Sequence, residues 1–388
     1  MKKKMAIICS TDYITYPMGG MMSFVLDILP HMKDDFDITL WGVSTLGRYP
    51  KSININGEKY PFRVFSSVKM SKKIIPNFLR VAYCIWSNRK KIIEEKYDIL
   101  YIHGIPLSFP FLVDNQVKVV NHIHGHSNPF ASPEKKLSNN YLFINLYEYY
   151  RRWVIKKSDL ILLAADKDGH KAFLENYLEF SDKIKCMPNF ADKNIFFPLE
   201  INKARRLLRI NLNEIILVNT GRISSGKDPI LLLNSFIYLI QSLNIKAHLV
   251  IIGEGDLKET IIKIIKSKKI ESSVTVTGKL ERKDINLWLN AADLYVSTSI
   301  AEGYPIALAE AATCRLPIVT MDILGVHDLV IDDHSGCLVK KREPKEVAEK
   351  ILLALQNKKI FSENIQIISK NFTPEIVTSR MKKMLSTL

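Results

Sequence analysis

The sequence lacks several features that would assign it to other protein classes. Its 388 residues contain five cysteines with no Cys-x-x-Cys spacing, which favours reduced thiols in a cytoplasmic protein over a disulfide framework. No apolar run approaches the ~20 residues that a membrane-spanning helix needs. The start is basic, but the apolar stretch after it is too short for a signal peptide, so residues 5–9 are predicted as a first strand.

Acidic residues are also scarce. Forty Asp and Glu face 55 Lys and Arg, which gives a formal net charge of +15. This excess favours a polyanionic neighbour, either nucleic acid, an anionic membrane face or a phosphorylated substrate. Basic residues, including Lys69, Lys72 and Lys73, alternate with aromatic and apolar residues in 69–91, and 147–157 repeats the pattern. We interpret both stretches as amphipathic helices at a membrane interface; the alternative is a solvated helix face that covers a core.

Short apolar runs alternate with helical patterns along the chain. The first series of predicted strands covers residues 5–9, 38–43, 99–103, 118–123 and 160–164. The second covers 215–219, 248–252, 274–277, 294–297 and 318–320, with helices at 229–242, 257–267 and 283–291 between them. Strands that alternate with helices predict parallel sheets covered on both faces, and two series predict two similar α/β domains. Ligands of such sheets bind beyond the carboxyl ends of the strands.

The stretch 299–311 is the most informative one. It carries two carboxylates, Glu302 and Glu310, with a Gly-Tyr-Pro turn after the first. Pro305 suits the first turn of a helix, which places Glu302 in the preceding loop and Glu310 inside the helix. The N–H groups at that helix start can receive an anion. Phosphate and sugar hydroxyls are suitable ligands for such a site; the alternative is that Glu310 is an ordinary exposed helix residue.

A polar loop follows the first strand of the second series. It contains Gly221, Arg222 and Lys227, and its two cations could hold a pyrophosphate. It is not a Walker A loop, because Asp228 follows the lysine. The later sequence Gly253-Glu-Gly255 lacks the third glycine of a dinucleotide fingerprint, so it is interpreted as a tight turn near a nucleotide.

Two further candidates lie in the first half of the chain. The paired glycines Gly19 and Gly20 precede a helical pattern and allow close approach to a phosphate or sugar. The histidines at 122, 124 and 126 alternate, and a hydrogen bond from one of them to a sugar is favoured over the alternative of a metal site. Asp166-Lys-Asp168 has the spacing of a metal motif, but N-capping is favoured there.

This ordered set of motifs resembles the retaining glycosyltransferases of family 4, which have the GT-B fold. Gly221-Arg222 with Lys227 resembles the phosphate site of that family. The two glutamates of 302–310 resemble its Glu-x7-Glu motif, and 188–196 resembles its interdomain segment. Gly19-Gly20 and His124-Gly125 match loops of its N-terminal domain.

The resemblance implies roles for these residues. Glu302 would bind donor-sugar hydroxyls, Glu310 would hold the ribose, and His124 would contact the sugar near the reacting carbon. Arg222 and Lys227 would stabilise the departing nucleoside diphosphate without a metal or cofactor. The remaining donor-binding residues would be Gly19, Gly20, Gly221, Gly253, Lys279, Leu280, Gly303, Tyr304, Pro305 and Ile306.

The sequence thus predicts an α/β protein of GT-B type, with two Rossmann-like domains facing across a cleft. Residues 1–195 would bind the acceptor, 196–368 the nucleotide sugar, and 369–388 would form a helix that packs back on the first domain. The predicted function is transfer of a sugar from a UDP-sugar to a polyprenyl-diphosphate-linked glycan of a surface polysaccharide. The enzyme would lie in the cytoplasm, on the anionic inner face of the membrane, and would bind no nucleic acid. The alternatives are a nucleotide-sugar 2-epimerase and a non-enzymatic protein that binds nucleic acid or membranes.

Overall fold

Two sets of alternating strands and helices make up the described part of the chain. The computed structural model describes residues 2–14, 19–44, 49–55, 57–67, 77–113, 117–125, 141–211 and 213–388. The fold divides into unit 1 (Met1–Ala165, Gly169–Pro188 and Val377–Leu388) and unit 2 (Asp166–Asp168 and Asn189–Ile376). Several residues of the sequence predictions, Lys69, Lys72, Lys73 and His126, lie outside the described residues.

Unit 1 is built around an eight-stranded sheet. Its strands are β1 (Lys3–Ile8), β2 (Phe36–Ser44), β3 (Ser52–Ile55), β4 (Glu58–Ser67), β5 (Ile99–His103), β6 (Lys118–Ile123), β7 (Leu160–Leu163) and β8 (Ile184–Cys186). Their order is β3-β4-β2-β1-β5-β6-β7-β8, and only the β3–β4 pair is antiparallel among them. The helices are α1 (Gly20–Met32), α2 (Asn77–Glu94), α3 (Phe109–Leu112), α4 (Tyr141–Lys157) and α5 (Lys167–Glu175).

Unit 2 contains a six-stranded sheet in which all the neighbouring strands are parallel. Its strands are β9 (Ile215–Thr220), β10 (Ala247–Ile252), β11 (Val274–Gly278), β12 (Leu294–Ser297), β13 (Ile318–Met321) and β14 (Gly336–Val339). Its helices are α6 (Ile201–Leu208), α7 (Pro229–Gln241), α8 (Lys258–Ser267), α9 (Arg282–Ala291), α10 (Ile306–Thr313), α11 (Pro344–Gln356) and α12 (Lys358–Ser369). The strand order is β11-β10-β9-β12-β13-β14, so successive strands are added on one side of β9 and then, from β12, on the other side. The loops after these two strands therefore flank the switch point, where ligands of open α/β sheets bind.

The last helix, α13 (Pro374–Ser386), brings the chain back to unit 1. Val377, Met381 and Leu385 recur at helical spacing and are buried. Lys382 forms an ion pair with Asp35, with 2.6 Å between Nζ and Oδ2. The apolar side of the helix and this ion pair hold residues 377–388 in unit 1.

The predicted alternation of strands and helices is confirmed, because a strand is present at each predicted position. Four strands, β3, β4, β8 and β14, were not predicted. Among the described helices, none is both long and apolar enough to cross a bilayer.

Candidate functional site

The loops that follow β9 and β12 are tied together at the switch point of unit 2. The backbone N–H of Ile300 donates to the carbonyl of Gly226 at 3.0 Å. The Thr298 hydroxyl donates to the carbonyls of Lys227 and Asp228, at 3.1 and 2.8 Å. These bonds hold the predicted phosphate loop against the loop that carries Glu302.

Lys227 and Glu302, predicted from separate motifs, form an ion pair between Nζ and Oε1. The lysine side chain is 37% exposed and that of the glutamate 13%. Arg222, the other predicted cation of the loop, is exposed. The structure thus gathers an exposed guanidinium, a half-exposed ammonium and a carboxylate at the edge where strand ends accept ligands.

The glycines of this region are required by close packing of backbone on backbone. A Cβ at Gly253 would lie 1.8 Å from the carbonyl oxygen of Gly221, and one at Gly255 would lie 2.1 Å from that of Ile223. Two hydrogen bonds, Gly221 N–H to Ile252 O at 3.0 Å and Ile223 N–H to Glu254 O at 2.9 Å, join the same segments. The Gly253-Glu-Gly255 turn therefore buttresses the loop of Gly221.

The start of α10 differs by one residue from the prediction. Pro305 is the N-cap, with an extended backbone (φ −74°, ψ 110°), and the helix begins at Ile306. The turn before it is held from two sides. Asn189 Nδ2 donates to the Tyr304 carbonyl at 2.7 Å. The backbone of Gly325 packs so closely that a Cβ there would meet the Gly303 oxygen at 2.4 Å.

Glu310 lies inside α10 and is 8% exposed, so the alternative of an exposed helix residue is wrong. The Arg282 guanidinium lies 4.0 Å from its carboxylate and stacks over the ring of Phe196, 5.2 Å from the centroid. A carboxylate that is buried beside a cation can remain charged and accept hydrogen bonds from hydroxyl groups. Of the other predicted donor-binding residues, Lys279 is exposed and Leu280 packs partly against the core.

Arg342 is a residue of this region that sequence reasoning missed. Its guanidinium pairs with Asp228 at 2.6 Å and donates to the carbonyls of Thr298 and Ser299, at 2.7 and 3.2 Å. It therefore clamps both loops of the switch point. No motif signalled it, since it lies 114 residues along the chain from Asp228.

The Asp166-Lys-Asp168 segment belongs to unit 2, where its carboxylates meet the loop after β13. Oδ2 of Asp166 accepts the N–H groups of Gly325 and His327, at 2.9 and 3.0 Å. The His327 ring bonds Asp168 at 3.0 Å and Asp322 at 2.8 Å. Burial lowers the pKa of His327, but these hydrogen bonds and the charge of Asp166 outweigh it, so its pKa is raised. The segment thus anchors a loop that packs on the Gly303 turn.

In unit 1, the helix that follows the predicted Gly19-Gly20 pair lies near His124. Gly19 caps α1, which begins at Gly20. One turn later, the ring of Phe24 lies 5.9 Å from that of His124, between centroids. His124 directly follows β6, as predicted, and Gly125 then takes a positive φ of 111°. The sugar contact predicted for His124 remains a prediction.

Three histidines of unit 1, His103, His122 and His124, are close enough together for one nitrogen from each to reach a shared ion. The ring orientations do not favour this. His124 stacks on His122, with 4.2 Å between centroids and an interplanar angle of 17°. Its Nε2 faces Nδ1 of His103 at 2.7 Å, so these two nitrogens point at each other and a shared metal would require a ring to turn. The cluster fits stacked neutral imidazoles better than a metal centre.

Comparison with known proteins supports a sugar-transferring enzyme. Residues 200–371, less than half of the chain, match the family model described as "Glycosyl transferases group 1". The chain is 26% identical over 297 residues to an Escherichia coli protein, UDP-Gal:alpha-D-GlcNAc-diphosphoundecaprenol alpha-1,3-galactosyltransferase. The match covers 74% of this chain and 73% of that protein. The poly(ribitol-phosphate) alpha-N-acetylglucosaminyltransferase of Staphylococcus aureus is 25% identical over 351 residues, or 87% of this chain and 65% of that protein.

Solved structures match the fold along the whole chain. Sucrose-phosphate synthase from Thermosynechococcus elongatus has a TM-score of 0.84 at 14% identity, covering 100% of this chain and 99% of that one. Anabaena HepE in complex with UDP and glucose has a TM-score of 0.71 at 18% identity, covering both chains completely. These likenesses confirm the predicted GT-B fold, and the domain match and the relatives support a glycosyltransferase with a nucleotide-sugar donor.

Proposed function

We propose that the protein is a retaining, metal-independent glycosyltransferase. It moves a sugar from a UDP-sugar to a lipid-linked glycan of a surface polysaccharide. The observation that carries the proposal is the pairing of Lys227 with Glu302 at the switch point of unit 2. A cation and a carboxylate side by side match a donor that has a diphosphate next to a sugar rich in hydroxyl groups.

Donor binding would replace this ion pair with two ligand contacts. Lys227 would turn to the diphosphate, where exposed Arg222 joins it, and Glu302 would accept hydrogen bonds from the sugar. The N–H groups at the start of α10 would receive phosphate oxygens. Glu310, held beside Arg282, would accept hydrogen bonds from the ribose.

In the transfer step, the bond between the anomeric carbon and the diphosphate breaks as the acceptor hydroxyl forms a bond on the same face. The acceptor proton passes to the departing diphosphate oxygen, which keeps the charges balanced. Arg222 and Lys227 stabilise the negative charge that develops on the leaving group. Because two side-chain cations supply the positive charge that balances the leaving group, the step needs no metal ion.

The lipid-linked acceptor and a peripheral site on the inner face of the membrane are supported by α4. Tyr141, Leu142, Leu146 and Tyr149 lie on one side of this helix and are between 61% and 80% exposed. Lys156 and Lys157, at its C-terminal end, are also exposed. A helix with exposed aromatic and aliphatic side chains and terminal lysines suits an anionic bilayer surface. The name of the E. coli relative includes a diphosphoundecaprenol acceptor.

The test is release of nucleoside diphosphate from a panel of UDP-sugars with polyprenyl-diphosphate-linked acceptors. We expect Lys227→Ala and Glu302→Ala each to lower kcat by about 10²–10³, the usual effect of losing one donor to a developing charge. Lys266→Ala, an exposed lysine on α8, is the matched control. Undiminished turnover in both site variants would show that the site is assigned wrongly.

The same assay separates the epimerase alternative. A UDP-sugar incubated without an acceptor should remain largely unchanged if the protein is a transferase. A new sugar nucleotide under those conditions would instead indicate a 2-epimerase. Salt-sensitive binding of RNA or DNA with no binding of sugar nucleotides would favour the non-enzymatic alternative.

A further inference from the structure

Three histidines meet at the carboxyl ends of β5 and β6 in unit 1. The parallel register of these strands places His103 opposite His122, and His124 points to the same side two residues later. The centroid of the His124 ring lies 4.2 Å from that of His122 and 5.0 Å from that of His103. Phe24 packs edge-on against His122, with 4.7 Å between ring centroids, and covers the cluster.

These rings are neutral in the folded protein. Burial lowers the pKa of His124 to about 4. Burial, with the neighbouring imidazoles, holds the pKa values of His103 and His122 well below the usual range. Each ring therefore carries one proton at neutral pH, and its place on Nδ1 or Nε2 decides what the ring can donate.

The contact between His103 and His124 limits that choice. Nδ1 of His103 lies 2.7 Å from Nε2 of His124, a hydrogen bond in which one nitrogen must be protonated and the other bare. The remaining nitrogen of His103, Nε2, is buried and has no hydrogen-bond partner among the described residues. The two possible arrangements of the protons therefore differ in what they leave on that atom.

If His124 donated, His103 would carry its own proton on the buried Nε2, where no acceptor among the described residues receives it. If His103 donates, the same atom is a bare acceptor that no described donor reaches. Buried N–H groups without an acceptor are rarer in native proteins than under-used acceptors. The favoured arrangement is Nδ1–H of His103 donating to Nε2 of His124.

We infer that His103 is a positioning residue for His124: it fixes the ring and keeps the His124 proton on Nδ1. His124 is partly exposed, and with Nε2 engaged it presents a neutral Nδ1–H donor to a ligand oxygen. Such a donor suits a sugar hydroxyl or ether oxygen, because a neutral ring avoids the free-energy cost of removing a charged imidazolium from water. The inference rests on the proposed function and on the sugar contact that the sequence predicts for His124.

The proton position is measured directly by NMR on protein labelled with 15N-histidine. Long-range proton–nitrogen correlations between pH 6 and 8 distinguish a protonated Nδ1 from a protonated Nε2. The His124 signals are assigned by their loss in His124→Gln. We expect Nδ1 protonated and Nε2 bare in the wild type. A His124 ring that is protonated on Nε2, or that exchanges equally between the two forms, would overturn the inference without any variant of His103.

Two variants then test the role of His103. In His103→Asn the amide nitrogen stands about where Nδ1 was, so an N–H can still reach Nε2 of His124 and its tautomer should persist. His103→Leu removes the donor, and the His124 signals should shift toward a mixture of tautomers. Persistence of a single Nδ1–H form in His103→Leu would contradict the role. His334→Leu, an exposed histidine in unit 2, is the control.

Measurements of kcat/KM test whether the His124 tautomer affects turnover of the donor. We expect His103→Leu to lower kcat/KM at least about tenfold and His103→Asn to recover most of it, because only the second variant keeps the donor. If the tautomer is as inferred but both variants turn over like the wild type, His103 has no positioning role in the reaction. Failure of the proposed function itself would look different, since then no donor would be turned over by any form of the protein.

Discussion

The ion pair between Lys227 and Glu302 stabilises the fold little and is therefore easy to exchange. The lysine side chain is 37% exposed, and pairs that solvent reaches contribute roughly 0–1 kcal/mol. A bound diphosphate can draw the ammonium away at small cost to stability. Arg342 contrasts with this, because it joins the Asp228 carboxylate of one loop to two backbone carbonyls of the other.

The histidine cluster predicts that stability falls in mild acid. The pKa of His124 is lowered to about 4, and those of His103 and His122 are held well below their usual range, whereas an unfolded histidine titrates near about 6.5. Between these values the unfolded state binds more protons, so acid favours unfolding. The free energy of unfolding should decrease from about pH 6.5 downward, by up to about 1.4 kcal/mol per pH unit per histidine. Urea unfolding at pH 7.5, 6.5 and 5.5 measures this.

His124→Gln provides the comparison, because a glutamine at that site does not titrate. Its stability should fall less steeply with acid than that of the wild type. His327 acts in the opposite direction: its pKa is raised, so its contribution is complete below the unfolded pKa and is lost as pH rises through the folded one. Equal slopes for the wild type and His124→Gln would show that His124 is not held neutral.

Single residues of the site could be predicted only where a local motif marked them. Lys227 and Glu302 stand in loops with recognisable glycines and a recognisable helix start. Arg342 and Arg282 carry no such signal, because their partners come from other parts of the sequence. The contact of His103 with His124 likewise depends on the pairing of β5 with β6.

At the scale of elements, most interior strands and the edge strand β11 could be predicted, whereas β4 and the edge strands β3, β8 and β14 could not. Strands such as β9 and β10 are nearly continuous apolar runs, since helices cover both faces of a parallel sheet. β3, β8 and β14 are edge strands of three or four residues. Short edges with polar residues or glycine give a weak hydrophobic signal. β4 contains Pro61 and three charged residues, so its sequence does not show the pattern of a strand.

The turn after β10 predicts a strict requirement for glycine. Gly253→Ala would place a Cβ 1.8 Å from the Gly221 carbonyl oxygen, so one backbone must move. We expect a loss of about 1–3 kcal/mol in stability, the usual range for overpacking. Because the displaced backbone is the phosphate loop, the thermal shift produced by a UDP-sugar should also shrink.

Gly57→Ala is the matched comparison. Gly57 also has a positive φ, 84°, but a Cβ there meets nothing within 4 Å. It should lower stability through backbone strain alone and leave the UDP-sugar shift unchanged. If Gly253→Ala kept the full ligand shift, the Gly221 loop would not be part of the donor site.

At the scale of the whole molecule, the sequence predicted two α/β units because the alternation of strands and helices occurs twice. A return of 369–388 to the first domain was also predicted, but the exact bounds of the units needed the structure. The short segment Asp166–Asp168 belongs to unit 2, although unit 1 surrounds it in the sequence. The last residues, Val377–Leu388, belong to unit 1. Tertiary contacts, rather than a local pattern, decide both assignments.

The net charge of +15 and the exposed side of α4 together predict binding to anionic membranes. Leu142 and Leu146 would insert among the headgroups, while each nearby lysine adds about 1 kcal/mol of electrostatic attraction. In co-sedimentation, the protein should bind vesicles rich in phosphatidylglycerol and should bind neutral phosphatidylcholine vesicles poorly. The double variant Leu142→Glu/Leu146→Glu should lose most of this binding, and high salt should weaken that of the wild type.

Leu207→Glu controls for the added charge, because Leu207 is 60% exposed but lies on α6 of unit 2. If the inference is right, this variant binds anionic vesicles almost as well as the wild type, although it carries an extra negative charge. If it weakens binding as much per glutamate as the α4 variant does, the attraction comes from net charge alone. The exposed side of α4 would then have no specific part in reaching a lipid-linked acceptor.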